Sequence, residues 1–219
     1  MSKQPKILIL GQIAYTQLFS SIGFKTISQY TWKDVIDIPK DIDAVLFSGG
    51  EDINPSLYGE NKSKYVYSVD YGRDATEEAI FHEAIKRNIP MFGICRGAQF
   101  LNVMNGGKLV QHMHGHTGTR HEVVTINDEM FNVTSSHHQM MLMPESHLDY
   151  VELAWTKDRR SNFYYNGNDE VIEGIEKEME AVLFPKTKCL GVQWHPEWMH
   201  KDEDGRIIFQ QWCEELIYN

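Results

Sequence analysis

Three short, nearly continuous apolar runs constrain the fold of this chain more than any other feature. They are KILILG (residues 6–11), IDAVLFSGG (42–50) and IPMFGIC (89–95). A strand with one wet face alternates apolar and polar residues. A continuous run must be covered on both faces, as in a parallel sheet flanked by helices. Helical patterns separate and follow these runs. Residues 75–87 place Ala79, Ile80, Ala84 and Ile85 at helical spacing, with Asp74 as the expected N-cap and Pro90 beyond the end. Residues 98–104 form a second helix that stops at Asn105-Gly106-Gly107, and residues 206–218 form an amphipathic closing helix. The alternation points to an α/β fold with a doubly wound, mostly parallel sheet. Further along, short strands at 122–126, 150–155, 171–175 and 181–184 are separated by polar turns and read as a small antiparallel addition, with 189–194 a further strand. With 219 residues and no linker, repeat or low-complexity stretch, residues 1–219 read as a single domain.

Charge and composition narrow the partners. The formal net charge is −10 and no Lys/Arg block stands out, so no nucleic-acid partner is expected, because a phosphate backbone needs a basic patch. No apolar run approaches the roughly 18 residues of a bilayer span, so no membrane is expected, and the N-terminal apolar stretch reads as a strand rather than a signal peptide. Cys95, Cys189 and Cys213 make an odd count without CxxC spacing. That argues against a disulfide framework or structural zinc and for a reducing, cytoplasmic setting.

Of the three cysteines, Cys95 has chemistry in its flanks. In F-G-I-C-R-G-A-Q the apolar strand ends on the cysteine and a helix follows, with Gly93 and Gly97 two residues to either side. A turn of the type G-x-nucleophile-x-G strains the backbone and presents the nucleophile at the carboxyl end of the sheet. It also places the sulfur at a helix N-terminus, where positive partial charge favours the reactive thiolate. Cys189, before a strand, and Cys213, on the closing helix, read as packing residues. A thiol nucleophile needs a base, and the base needs an orienting group. In G-V-Q-W-H-P-E-W a strand ends at His195, Pro196 fixes the backbone and Glu197 stands two residues on. A carboxylate that close accepts the Nδ1–H and leaves Nε2 for the thiol.

These two segments fall in order with four others: S-G-G-E-D-I-N-P-S-L-Y-G-E (48–60), Arg73-Asp74, N-V-M-N-G-G-K-L-V-Q (102–111) and V-T-S-S-H-H-Q (133–139). Together they resemble the class I glutamine amidotransferase-like superfamily, and within it the peptidase C26 branch of γ-glutamyl-γ-aminobutyrate and folate γ-glutamyl hydrolases. Arg96 after the nucleophile and the 48–60 stretch resemble the hydrolase branch more than synthetase-coupled glutaminases.

The resemblance implies the class I glutamine amidotransferase fold, with a flavodoxin-like sheet. It also implies a hydrolase that cleaves a γ-glutamyl amide through a thioester, with Cys95 as nucleophile, His195 as base and Glu197 as its orienting carboxylate. The backbone N–H groups of Gly50 and Arg96 would hold the oxyanion. Ser135, His137 and Gln139 match the family pattern and by resemblance line the pocket, as does Gln99; Thr134 stands where the family commonly has Asn. Arg73 is a candidate for the glutamyl carboxylate, with structural pairing to Asp70 or Asp74 as the alternative. Glu51 and Asp52 are candidates for an ammonium, with a solvated acidic loop the plainer account.

No cofactor or metal is implied. In H-M-H-G-H-T-G-T-R-H (His112, His114, His116 and His121) the alternate spacing would put three imidazoles on one face of an extended segment, a geometry that could bind Zn²⁺ or Ni²⁺, but no carboxylate or cysteine accompanies them in the sequence. The expected partner is a small-molecule γ-glutamyl substrate, and a homodimer is the default assembly for a soluble enzyme. The alternative reading, a glutaminase feeding ammonia to a separate synthetase, requires that synthetase as partner. The identity of the amine is not legible.

Overall fold

The computed structural model describes residues 4–29, 38–146 and 149–218. In chain order the elements are β1 (Lys6–Leu10), α1 (Ile13–Ser21), β2 (Lys25–Gln29), β3 (Ala44–Phe47), α2 (Tyr71–Lys86), β4 (Met91–Ile94), α3 (Arg96–Met104), β5 (Lys108–Val110), β6 (His112–Met113), β7 (Thr119–Thr125), β8 (Met130–Ser135), β9 (Met140–Leu142), β10 (Val151–Thr156), β11 (Tyr164–Tyr165), β12 (Met179–Phe184), β13 (Cys189–Val192) and α4 (Asp204–Tyr218). Nine strands form one sheet in the order β2-β1-β3-β4-β13-β12-β10-β7-β8. Neighbours from β2 to β13 are parallel. From β13 onward the added strands β12, β10, β7 and β8 pair antiparallel. This is the α/β architecture the apolar runs demand, a parallel doubly wound half with an antiparallel extension.

Each central strand feeds two cores. Leu8 and Leu10 of β1 pack with Val45, Phe47 and the α2 and α3 residues Ile80, Phe81 and Phe100. Ile7 and Ile9 turn to the other face, with Ala44, Leu46 and the α1 and α4 residues Leu18, Phe19 and Phe209. Fully burying one such side chain is worth about 1.5–3 kcal/mol, so both faces are driven to find cover. Helix α3 lies very close to the sheet. A Cβ on Gly97 would come within 2.0 Å of the Phe47 oxygen, and one on Gly93 within 2.5 Å of the Gly97 carbonyl. The two glycines around Cys95 therefore let a helix begin directly over the strand ends.

Several expectations are corrected. Helix α2 starts at Tyr71, and its cap is Asp70, whose side chain accepts the Gly72 and Arg73 N–H groups, both at 3.0 Å. Asp74 lies inside the helix and is buried. The strand expected over 171–175 does not form; Val171 makes one isolated bridge to Tyr165. Gly174 at φ 78° breaks the extended backbone there, and the strand β12 begins only at Met179. Helix α1 and strand β2 carry no sequence expectation. α1 has no side-chain cap, and β2 (KTISQ) is an edge strand with a single aliphatic side chain. No helix among the described residues is long and apolar enough to cross a membrane.

Candidate active site

The carboxyl ends of β3, β4 and β13, neighbours in the sheet, each supply one piece of the site. β4 delivers Cys95 at φ 52° and ψ −109°, a conformation that costs an L-residue about 1–3 kcal/mol. Surrounding bonds hold it there. The Cys95 N–H donates to the Val192 oxygen at 2.8 Å, and the Cys95 carbonyl accepts the Gln99 N–H at 3.2 Å. Cys95 is the N-cap residue of α3, so the first helical N–H groups, that of Arg96 included, have no partner within the helix. The other thiols are inert by comparison: burial pushes Cys189 up to about 12 and Cys213 well above its ordinary value.

β13 runs on to His195. Its Nδ1 lies 2.7 Å from Glu197 Oε1, the length of a charge-assisted bond, while the buried Nε2 has no hydrogen-bond partner in the protein. Trp198 stacks on the imidazole, with centroids 3.7 Å apart and planes 8° apart. Thr134 clamps the backbone: its Oγ1 donates to the His195 carbonyl at 2.9 Å and accepts the His195 N–H at 3.3 Å. Burial by itself lowers the His195 pKa, but the charge and contact of Cys95, and then Glu197, raise it to about 10.

β3 opens into Ser48-Gly49-Gly50. A Cβ on Gly49 would lie 2.7 Å from the Tyr15 hydroxyl, 3.3 Å from His195 Cε1 and 3.6 Å from Cys95 Cβ. This turn thus packs directly against the candidate nucleophile and base. Gly50 sits at φ 152°, and a Cβ there would fall 2.1 Å from an Arg73 nitrogen. Arg73 braces the turn, donating from Nη2 to the Ser48 carbonyl at 2.8 Å and from Nη1 to the Gly49 carbonyl at 3.2 Å. Its carboxylate partners include Glu77 at 2.9 Å and Glu51 at 3.3 Å. Arg73 therefore braces the glycine turn, and the structural pairing expected with Asp70 or Asp74 falls instead on Glu77 and Glu51. The Arg96 side chain leaves the start of α3 to bind Asp74 and Glu77 of α2. Arg73, Arg96, Asp74 and Glu77 are all buried, and together they tie the Ser48-Gly49-Gly50 turn to α3.

One residue of the site carried no expectation. The Tyr15 hydroxyl accepts the Gly49 N–H at 3.0 Å. Burial, then the charges of Glu197 and Cys95, push its pKa upward and keep it neutral. It sits on α1, which has no capping signal. Thr134 did carry a signal, as the departure from the commoner Asn.

Ser135, His137, Gln139 and Gln99, expected to line the pocket, form a buried layer bonded within itself. The Gln139 carbonyl accepts from Gln99 Nε2 at 3.0 Å and from His137 Nδ1 at 2.9 Å. Gln139 Nε2 donates to the Gln111 carbonyl at 3.3 Å, and Ser135 Oγ donates to the His116 carbonyl at 2.7 Å. Behind them, His116 meets Glu178 at 3.0 Å, and His121 meets Glu180 at 2.9 Å. Burial lowers the His116 pKa, but its bonds to Glu178 and Glu180 outweigh this and raise it to about 9. Burial raises Glu178, but His116 and the Arg160 and Ser161 N–H groups bring it down to about 2. His137 goes the other way, lowered by burial. The histidine-rich loop is thus divided. His116 and His121 face inward, while His112 and His114 lie edge to face at 4.7 Å, with His112 stacked on Tyr65. Asp52 is engaged as well, accepting from Tyr67 N–H at 2.7 Å and meeting His138 at 3.0 Å.

The peptidase C26 family model matches residues 27–197. Protein NtpR of Enterococcus hirae is 33% identical over 181 residues, covering 73% of this chain and 68% of its own. The gamma-glutamyl-gamma-aminobutyrate hydrolase PuuD of Escherichia coli is 30% identical over 200 residues, covering 79% of this chain and 71% of its own. A glutamine amidotransferase from Thermotoga maritima aligns with a TM-score of 0.66 over 99% of this chain and 100% of that one; at 14% identity this speaks to the fold alone. By the family match across most of its length, the chain belongs to the peptidase C26 family.

Proposed function

We propose that this protein is a cysteine-nucleophile hydrolase that cleaves a γ-glutamyl amide and releases glutamate and an amine. The observation that carries the reading is Cys95, held at positive φ on a helix start, beside an imidazole gripped by Glu197 at 2.7 Å. In this reading the Cys95 thiolate attacks the γ-carbonyl carbon. The carbonyl electron pair moves to oxygen, where the backbone N–H groups of Arg96 and Gly50 receive it; one such donor is worth about 10²–10³ in rate. Collapse breaks the C–N bond, the His195 Nε2 proton goes to the leaving amine, and a γ-glutamyl thioester remains on Cys95. Neutral His195 then takes a proton from water as the water attacks the thioester, and glutamate leaves. Glu197 accepts the Nδ1–H throughout and favours the imidazolium form. The γ-glutamyl part is supported by family membership and by the likeness to the E. coli hydrolase.

The test is release of glutamate by the pure chain from γ-glutamyl-γ-aminobutyrate, γ-glutamyl dipeptides, a folate polyglutamate and glutamine. Turnover of at least one γ-glutamyl amine, abolished in Cys95→Ala, with an acyl adduct on Cys95 trapped by mass spectrometry, is the expected result. Glutamine hydrolysis that appears only when a separate synthetase is added, with no γ-glutamyl amine turned over, would replace this reading with an ammonia-supplying glutaminase.

A further inference from the structure

We infer that His116, His137 and Glu180 bind a divalent transition-metal ion of the zinc class, as a structural site that pins the histidine loop, the end of β8 and β12 together. The three side chains offer ligand atoms that all lie within 4.8 Å of one another, and all three residues are buried. His116 Nδ1 is 3.4 Å from Glu180 Oε1, and His137 Nε2 is 3.7 Å from the same oxygen. Ligand atoms around a tetrahedral zinc stand about 3.3 Å apart, from metal–ligand lengths of about 2.0–2.1 Å. Both distances to Glu180 Oε1 are within a few tenths of an ångström of that spacing, and the third pair is no more than 4.8 Å apart.

The surrounding bonds fix the lone pairs in the sense a metal needs. His137 gives its Nδ1–H to the Gln139 carbonyl at 2.9 Å, which leaves Nε2 as a bare acceptor. That Nε2 is buried with no hydrogen-bond partner, and so is Glu180 Oε2. His116 gives its Nε2–H to Glu178 at 3.0 Å, the carboxylate–histidine arrangement that orients a metal-binding imidazole, leaving Nδ1 toward Glu180. His121 donates Nε2–H to Glu180 Oε1 at 2.9 Å and so orients the ligating carboxylate. Ser135 Oγ, 3.3 Å from His116 Nδ1, offers a fourth donor. Two acceptors facing one another in a buried space, with no proton between them, repel and each forgoes a hydrogen bond. A proton on His116 balances one of the two buried carboxylates, Glu178 or Glu180; the second negative charge and the His137 lone pair still face each other. A divalent cation answers both. Two histidines and a carboxylate are hard-to-borderline ligands suited to zinc or a neighbouring first-row ion.

The inference does not rest on the γ-glutamyl reading, since its test reads metal uptake and not turnover, although His137 and Ser135 are also residues expected near the pocket. The test uses the full chain without an affinity tag, stripped with a chelator and dialysed. Zinc is titrated by competition with a chromophoric chelator, and cobalt(II) is followed by its visible spectrum. One equivalent of zinc bound, intense tetrahedral cobalt bands displaced by zinc, and a Tm raised by about 5–10 °C at a hundredfold excess over Kd are expected. His137→Gln should abolish the cobalt bands, and the His112→Ala/His114→Ala double variant should keep them. A stripped wild-type chain that takes up no stoichiometric zinc and shows only weak octahedral cobalt absorption overturns the site. So does uptake that survives His137→Gln and disappears with His112 and His114. The wild-type spectrum decides the matter even where a core variant does not fold.

Discussion

Two histidine–carboxylate centres stand in this molecule, and they use the same device to opposite ends. At His195 a carboxylate 2.7 Å from Nδ1 fixes the ring. The other nitrogen is left beside a cysteine at the end of a strand, next to a half-exposed tryptophan. At His116 and His137 an oxygen likewise fixes each ring, but the remaining nitrogens look at Glu180 deep in the protein. Pinning one imidazole nitrogen decides what the other can do. Facing a thiol it becomes a base; facing a carboxylate in the dark of the core it becomes a ligand or a buried cation. What separates the two centres is the group placed opposite, and the backbone at Cys95 places it.

The comparison breaks most sharply at Cys95. Cys95→Ala should lower glutamate release by a factor of about 10⁴ or more, while leaving Tm within about 2 °C of wild type because the methyl group fits the same space. The substitution also removes the first contributor that raises His195, so its imidazole should titrate well below the wild-type value of about 10, as read from the NMR shift of its ring protons. A wild-type His195 titrating near the ordinary imidazole value of about 6.5 would detach the imidazole from the sulfur. Glu197→Gln comes next. It keeps the shape but no longer accepts an Nδ1–H as a charge, and kcat should fall by about 10²–10⁴ with KM nearly constant. A fall in KM alone would move Glu197 out of the reaction.

On the other side of the comparison, Glu180→Gln should register in stability. Glu180 is buried, bonded to His121 at 2.9 Å with His116 and His137 facing it, and breaking one partner of such a cluster costs about 3–5 kcal/mol, measurable as a shift in the urea midpoint at constant m-value. The pH response separates the centres further. His195 is raised in the folded state, so its contribution is complete below the unfolded value of about 6.5 and is lost as pH rises through about 10. Between pH 7 and 10 the wild type should therefore lose stability that Cys95→Ala does not lose. Equal slopes for the two proteins over that range would mean the thiol contributes nothing to the raised imidazole.

The same contrast explains what was legible in the chain. Cys95, His195 and Glu197 sit in short contiguous segments whose chemistry is local: a glycine two residues before and after the thiol, a carboxylate two residues after the imidazole. The apolar runs of β1, β3 and β4 demand a doubly covered sheet whatever surrounds them. The second centre was hidden because its parts come together only in the fold. Glu178 stands 62 residues from His116 and reaches it through strand pairing far from the histidine loop. Asp74 read as a cap because a helix start and a buried ion pair demand the same residue type, and only the structure shows Asp70 at the helix end and Asp74 under Arg96. Tyr15 was invisible for a simpler reason: its helix begins without a polar cap, and Ile13, 64% exposed, breaks the expected apolar stripe.

Tyr15 offers the finest test of how the reactive centre is held. Its hydroxyl accepts the Gly49 N–H, while Arg73 holds the Ser48 and Gly49 carbonyls from the other side. The glycine turn is thus gripped at its N–H by one residue and at its oxygens by another. Tyr15→Phe keeps the ring in its core contacts but removes the hydroxyl that accepts the Gly49 N–H and also lies against Glu197, leaving one buried N–H without a partner at a cost of about 1–3 kcal/mol. Because that N–H belongs to the turn carrying Gly50, the loss should fall on the transition state, where the turn must meet a developing oxyanion, more than on substrate binding. A drop in kcat of about tenfold with KM changed less than twofold is expected. If kcat and KM stay at wild-type values while the melting temperature falls, Arg73 alone sets the turn and Tyr15 is a packing residue.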